Sequence, residues 1–262
     1  MRMVSLSFLI SLAGAAAVGY PAALAASTGD RLLLSANGAT LTGASGGGGG
    51  SIAWLHNFNI NTLAGAAVEY QTIADAHWTF GSLNASRTFG QAGAKTSLYG
   101  EIHEGAGDIK ARRFDYSIVT AGLIRTFGPH LSLQFEDRQI SIDTSRGNLP
   151  KLGASILWGP RLQTAIAYQH SVSGNLGTHL VSLRFDAYGK RLNGLAGGAF
   201  GTGSPAVFNL QTGLIQPGGK LREVFVGAAK AFARSNLTVV ADYLDLAGTK
   251  RTTLTLNYLF DL

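Results

Sequence analysis

The chain has no cysteine, and only 14% of its 262 residues carry a charge. Without disulfides, an exported form of this chain must be held together by hydrogen bonds and packing alone. Beyond the N-terminus there is also no run of about 18 apolar residues, the length that a transmembrane helix requires. These shortages argue against a disulfide-stapled scaffold and against a helical membrane protein. Glycine, by contrast, is abundant, with 35 residues.

The N-terminus has the pattern of a secretory signal. One positive residue, Arg2, precedes an apolar run over residues 4–18, and a stretch of small residues follows. We predict a signal peptide over residues 1–26, cleaved near Ala25 or Ala26. A retained transmembrane helix is the alternative, which the shortness of the run and its interrupting serines disfavour.

The C-terminal stretch alternates between apolar and polar residues with a period of two, as a pleated strand does. One face carries large apolar side chains and the other carries polar ones. The apolar set is Leu254, Leu256, Tyr258, Phe260 and Leu262, and the polar set is Thr253, Thr255 and Asn257. Residues 131–136, 181–186 and 236–243 alternate in a similar way. This pattern is typical of a wall between lipid and water.

Turn signals divide the chain at regular intervals and fall into two classes that alternate along it. The first class consists of six tight turns, each preceded by an aromatic residue. These aromatic residues are Phe58, Phe89, Phe127, Trp158, Tyr188 and Phe232. The second class consists of seven turns that are mostly longer or more polar, over residues 46–50, 73–76, 105–108, 144–149, 173–177, 203–219 and 247–250. Thirteen alternating turns join about 14 strands.

We therefore predict one all-β domain over residues 27–262, an up-and-down antiparallel transmembrane β-barrel of about 14 strands, within a range of about 12 to 16. The six aromatic residues would form a girdle at the periplasmic interface, and both termini would lie in the periplasm. A β-propeller, a β-solenoid and a secreted sandwich are the alternatives, because they also consist of regular strands. The predicted location is the bacterial outer membrane.

Polar residues on one face of the predicted strands are candidates for lining the lumen. With about 14 strands, a water-filled lumen is geometrically feasible. The candidates are Lys95, Tyr99, Glu101, His103, Gln134, Glu136, Arg138, Gln163, Gln169, Arg184, Asp186, Asp242 and Asn257. Their charges are of both signs, which favours a lattice that braces the wall over a selectivity filter.

Two loop-like segments differ from ordinary solvated turns. The predicted connection over residues 203–219 contains Phe208, Leu210 and Leu214, and it folds into the lumen, packs on the barrel rim or packs against lipid. Pentaglycine over residues 46–50 is predicted to be a flexible connection. It is not a phosphate-binding loop, because no helix with P-loop chemistry follows it.

An outer-membrane hydrolase is an alternative function. Ser97, Glu101 and His103 share one face, but Ser97 and His103 would lie on the order of 20 Å apart along the strand, too far for a nucleophile and its base. Glu101 and His103 could form an acid and base pair only with a serine from another strand. The sequence after His103 does not match a zinc-binding motif, and the other histidines lie mostly near strand ends. We predict no enzyme activity, no cofactor and no metal site.

The C-terminal residues Tyr258, Phe260 and Leu262 resemble the assembly signal of bacterial outer-membrane barrels, with leucine in place of the usual terminal phenylalanine. The strand and turn layout from residue 51 to the end, including residues 182–185 and 201–203, resembles the YaiO-type outer-membrane β-barrel family. That resemblance implies a 14-stranded barrel. It also implies components of exopolysaccharide export as partners.

The function predicted from the sequence is a passive or export-associated pore for small or polymeric solutes. The alternatives are an outer-membrane hydrolase that modifies lipid or polysaccharide, and a non-conducting structural barrel of an envelope assembly. The expected partners are outer-membrane lipid, lipopolysaccharide and the barrel-assembly machinery. The 21 basic residues are scattered among 15 acidic ones, so no nucleic-acid partner is predicted.

Overall fold

A computed structural model describes residues 28–91, 93–203 and 218–262, and these residues form strands and turns without a helix. The strands are β1 (Gly29–Leu41), β2 (Ala44–Asn59), β3 (Thr62–Ile73), β4 (Ala76–Phe89), β5 (Thr96–Ile109), β6 (Arg112–Phe127), β7 (Leu131–Ile142), β8 (Ser145–Asn148), β9 (Lys151–Trp158), β10 (Leu162–His170), β11 (His179–Tyr188), β12 (Leu192–Gly203), β13 (Gly219–Ala231), β14 (Ser235–Leu246) and β15 (Thr249–Asp261). Within the described ranges, no helix is long and apolar enough to cross a membrane.

The strands form one antiparallel sheet that closes on itself. Strands that follow each other in the chain pair, except β8 with β9, and β1 pairs with β15 from Arg31 opposite Asp261 to Leu41 opposite Arg251. The short strand β8 and strand β9 both pair with β7 and together occupy one place in the ring. The ring therefore has 14 places, which confirms the predicted up-and-down barrel.

The ring has two different ends. The terminal end holds the start of β1, the end of β15 and the six turns that follow the aromatic residues. The loop end holds the other connections, including the long one between β12 and β13. All six predicted aromatic turns lie between strands, as the sequence indicated. The predicted signal peptide and most of the 203–219 connection, residues 204–217, fall outside the described residues.

Three predicted turns at the loop end were wrong. Pentaglycine at residues 46–50 lies within β2, residues 105–108 lie within β5, and β8 occupies most of 144–149. Glycine misled the prediction at β5 because Gly105 and Gly107 provide space inside the sheet. A Cβ at either position would lie 2.5 Å from the Cβ of Phe80 or of Trp78 on the neighbouring strand.

Near residues 105–108 and 144–149, the chain turns at two-residue hairpins that contain no glycine or proline to mark them in the sequence. Between β5 and β6, Lys110 and Ala111 both adopt positive φ, at 51° and 61°. Between β7 and β8, Asp143 also has a positive φ, at 52°. Positive φ at both central positions suits the right-handed twist of the paired strands, although glycine or asparagine usually supplies it.

The outward face of the barrel is apolar in its terminal half. Exposed large apolar side chains outnumber the buried apolar ones, and they alternate with inward residues on almost every strand. On β6 they run over residues 119–127, about 26 Å along the strand. Above them, toward the loop end, the outward residues become polar, as with Ser117, Asp115 and Arg113 on the same strand. The outer surface thus has an apolar band and, beyond it, a polar collar.

The inward face shows the opposite arrangement at the loop end. Buried apolar residues from most of the strands pack there in one cluster, which we call the apolar layer. Its members include the aromatic residues Trp78, Phe80, Phe114 and Tyr116, with Phe80 and Tyr116 edge to face at 5.7 Å. The collar therefore has a polar outside and an apolar inside, like a soluble protein, whereas the band has an apolar outside and a more polar inside.

Candidate functional site: the polar interior

The middle of the barrel interior carries buried charged and polar side chains. Strand alternation puts twelve of the thirteen predicted lumen residues on the inward face. Nine of those twelve are buried, namely Glu101, His103, Glu136, Arg138, Gln163, Gln169, Arg184, Asp186 and Asn257, while Tyr99, Gln134 and Asp242 are partly buried. The exception is Lys95, which is exposed in the turn between β4 and β5.

Glu136 is the centre of the densest network. Its carboxylate accepts hydrogen bonds from Arg138 Nη2 at 2.7 Å, Lys151 Nζ at 3.2 Å and the Tyr99 hydroxyl at 2.6 Å. Gln134 Nε2 donates in turn to the Tyr99 hydroxyl at 2.7 Å. The Glu136, Arg138 and Lys151 side chains are each no more than 5% exposed. A buried charge requires a partner of opposite sign, and here two cations compensate one carboxylate. Since Tyr99 lies on β5, Glu136 on β7 and Lys151 on β9, the network connects three strands across the wall.

Tyr99 reaches Glu136 by crossing over a glycine. Tyr99 on β5 lies directly opposite Gly122 on β6, and Gly122 lies opposite Glu136 on β7. A Cβ at Gly122 would collide with the ring and hydroxyl of Tyr99. The glycine therefore allows a side chain to span one whole strand.

Replacing Gly122 by alanine is expected to displace Tyr99 and to lower the free energy of unfolding by about 1–3 kcal/mol, the usual cost of overpacking. Urea titration of the folded protein in lipid vesicles measures it. The matched control is Gly100→Ala on the outward face of β5, where the added carbon meets only a backbone oxygen at 3.7 Å. Equal stability of the two variants would contradict this packing.

Four further pairs of ionisable side chains lie around the ring between inward residues of the described ranges, and one of them joins Arg31 Nε to Asp261 Oδ1 at 3.4 Å. Arg184 donates two hydrogen bonds to Asp186 from Nε, at 2.9 and 3.0 Å. His103 Nε2 lies 2.9 Å from Glu101 Oε1. Arg251 Nη2 lies 3.2 Å from Asp242 Oδ1. Opposite charges thus meet in local pairs around the wall, rather than in rings of one sign.

Sequence reasoning missed several inward charged residues, which are Arg31, Glu69, Lys151, Glu223 and Arg251. Lys151 was missed because it follows directly on a segment predicted to be a turn. Glu69 and Glu223 lie on strands whose alternation is blurred by alanine, glycine and outward charges. Their inward position could have been derived from strict period-2 counting once the turns were correctly located.

Of the residues in the hydrolase alternative, Glu101 and His103 do lie together, whereas Ser97 has a different partner. Ser97 Oγ lies 2.8 Å from the Thr88 hydroxyl, and His103 pairs with Glu101. Within the part of the chain that the structure covers, no group of three or more histidine, aspartate or glutamate side chains could hold a metal ion.

No family model and no curated protein matches the sequence. Solved structures do match the fold. A FadL homologue from Pseudomonas aeruginosa has a TM-score of 0.60 at 10% identity, over 94% of this chain and 94% of that chain. The CymD monoaromatic hydrocarbon channel has a TM-score of 0.60 at 9% identity, over 90% and 89%. Omp33 from Acinetobacter baumannii has a TM-score of 0.53 at 12% identity, over 88% and 98%.

The fold is that of an outer-membrane β-barrel. Five of the six predicted girdle residues are exposed at the terminal end, as such a barrel requires at a membrane interface: Phe58, Phe89, Phe127, Trp158 and Phe232. Tyr188 differs, because its hydroxyl donates to the inward Gln163 Oε1 at 2.9 Å. It therefore belongs to the interior of the barrel.

Three girdle residues carry a cation on the same outward face. Arg87 lies over Phe89 at 5.0 Å, Arg125 over Phe127 at 5.9 Å and Lys230 over Phe232 at 5.3 Å. Each cation precedes its aromatic partner by two residues, so alternation puts both on one side. Such pairs suit the headgroup region of a bilayer, where aromatic rings and cations are enriched.

The final strand of the outer-membrane barrel has the predicted alternation. Tyr258 is 40% exposed, Phe260 is half-buried and Leu262 is 63% exposed, and the Tyr258 and Phe260 rings lie 5.7 Å apart. β15 also closes the ring against β1, so the C-terminal residues lie at the seam of the barrel.

Proposed function

We propose that this protein is a passive channel of the bacterial outer membrane for small solutes. The observation that supports it best is the closed 14-place ring with an apolar band outside and buried polar residues inside. The loop end would face the cell exterior and the terminal end the periplasm. Outer-membrane lipid and lipopolysaccharide would surround the band, and the barrel-assembly machinery would recognise β15.

The ring is wide enough for a passage. Fourteen strands spaced about 4.8 Å apart and tilted by about 40° give a ring roughly 28 Å across its backbone. Barrels of eight strands are filled by side chains, and larger barrels enclose cavities or channels. The inward face of the terminal half also includes small residues, such as Ala165, Ala167 and Gly153.

The order of the linings favours a solute that is partly apolar. A solute entering from the loop end meets the apolar layer with its four aromatic rings, and then the paired charges of the middle. CymD, which has a similar fold, is a monoaromatic hydrocarbon channel. We propose small, weakly polar organic solutes as the class transported, since a strongly hydrated ion would be stopped at an apolar constriction.

The apolar layer would act as the constriction. We expect low single-channel conductance for the wild-type protein in planar bilayers, and a several-fold higher conductance for the double variant Trp78→Ala, Phe114→Ala, because removing two rings widens the layer and lets water enter.

A matched control removes two aromatic rings from the outward face, Trp54→Ala with Phe135→Ala, and is expected to leave conductance unchanged. Folding of each variant is checked by comparing boiled and unboiled samples on a gel. Silence of both the wild type and the widened variant, with normal folding, would argue against a channel.

A non-conducting structural barrel of an envelope assembly is the second candidate. It is favoured by the apolar layer, which is buried at 9% exposure or less in all its members. The YaiO-type resemblance belongs to this candidate, with exopolysaccharide-export components as partners. Co-purification of such components with a protein that stays silent in bilayers would support it.

A further inference from the structure

Two histidines face each other on the outer surface of the barrel at the loop end. His170 on β10 and His179 on β11 are directly opposed in the sheet, and their Nδ1 atoms lie 2.6 Å apart. Their ring centroids are 4.3 Å apart. His170 is half-buried and His179 exposed, and inward neighbours such as Gln169 and Leu180 are buried, so the histidine rings lie on the outward face.

The backbone explains why the rings come so close. Ser171 donates its N–H to the Thr178 carbonyl at 2.8 Å, which makes that pair the hydrogen-bonded one. The next pair in an antiparallel ladder, His170 with His179, is then the non-hydrogen-bonded kind, in which side chains approach most closely. Tyr168 lies parallel to His170 on the same face, with 8° between the ring planes and 6.2 Å between the ring centroids.

We propose that His170 and His179 form a two-histidine site for a borderline or soft divalent transition ion such as Cu²⁺, Ni²⁺ or Zn²⁺. Neutral imidazole nitrogen is the ligand that these ions prefer among the side chains present on this surface. Two nitrogens bound to one ion at about 2.0–2.1 Å lie about 2.9–3.4 Å apart. The two Nδ1 atoms, now 2.6 Å apart, therefore need to separate by only a few tenths of an ångström, through small rotations of the rings, to bind one ion together.

The surroundings leave the rest of the coordination sphere to water. On the same outward face, the nearest residues in the ladders are Tyr168, Val181 and Thr202, none of which carries a charge. The pair lies at the loop-end limit of the apolar band, next to the connection between β10 and β11. The site does not depend on the proposed channel, because it lies on the other side of the wall.

The test is a titration of folded, untagged protein in detergent with Cu²⁺, followed by electron paramagnetic resonance and by calorimetry. We expect one ion per chain with a spectrum of two nitrogen ligands. His170→Ala and His179→Ala should each lower the affinity at least about tenfold, since a single imidazole cannot chelate.

The matched control is His77→Ala, which removes another exposed histidine of the loop end that lies 3.3 Å from Asp108. Its affinity for Cu²⁺ should equal that of the wild type. All variants are first shown to be folded by their gel migration before boiling. The proposal would be overturned if the wild type showed no saturable Cu²⁺ binding, or if the His170→Ala and His179→Ala variants bound Cu²⁺ with the affinity of the wild type.

Discussion

Replacing Glu136 by alanine is expected to lower the free energy of unfolding by about 3–5 kcal/mol, the usual result of breaking a buried ion pair from one side. Without the carboxylate, Arg138 and Lys151 remain as two buried cations next to each other, and the Tyr99 hydroxyl loses its acceptor. Urea titration in lipid vesicles, followed by tryptophan fluorescence, measures the change.

Glu104→Ala is the matched control for Glu136→Ala. Glu104 is an exposed glutamate on the outward face of β5, and its removal is expected to change stability by no more than about 0.5 kcal/mol. A double variant, Glu136→Leu with Lys151→Met, should recover part of the loss, because it also removes the buried Lys151 cation that Glu136 accepts from. If Glu136→Ala were as stable as Glu104→Ala, the network would not brace the wall.

Replacing Leu256 by arginine is the second large effect. Leu256 is 45% exposed within the apolar band on β15, between Leu254 and the aromatic residue Tyr258 on the same face, so a charge there would face the hydrocarbon. Arginine near the bilayer midplane of a barrel costs about 2–4 kcal/mol, and near the interface about 0–1 kcal/mol. We expect the larger cost, together with a smaller folded fraction in vesicles.

The same substitution at Thr252 is its control. Thr252 lies on the same strand and the same outward face, four residues closer to the loop end, where the outward residues are polar. Arginine at this position is expected to be nearly neutral. Equal costs at the two positions would mean that the band does not end between them, and that the position of the barrel in the membrane must be redrawn.

Much of this fold could be predicted from the sequence because a barrel wall has a simple physical code. Alternation with a period of two showed the faces of β15 and β11, and aromatic residues marked every turn of the terminal end. Hairpins at the loop end were harder. Lys110 and Ala111 turn the chain without glycine, while Gly105 and Gly107, inside β5, resemble a turn in the sequence but provide space for rings.

The inward orientation of individual residues could be predicted from the sequence, but the contacts between those residues could not. Counting along strands put Glu136, Arg138 and Arg184 on the inward face. That Tyr99 crosses Gly122 to reach Glu136 depends on the register of three strands, which no local pattern contains. The apolar layer was also missed, because the apolar and polar faces exchange sides along a strand, and a single alternation count hides this exchange.

The collar beyond the apolar band would determine what a molecule outside the cell contacts on this protein. In the proposed orientation, it would raise a stiff, hydrogen-bonded rim above the lipopolysaccharide base, joined on several sides by hairpins of only two residues. Antibodies and phages that reach this protein would then encounter strand ends and short hairpins, and variation that escapes them would have to preserve the packed apolar layer directly behind the epitope.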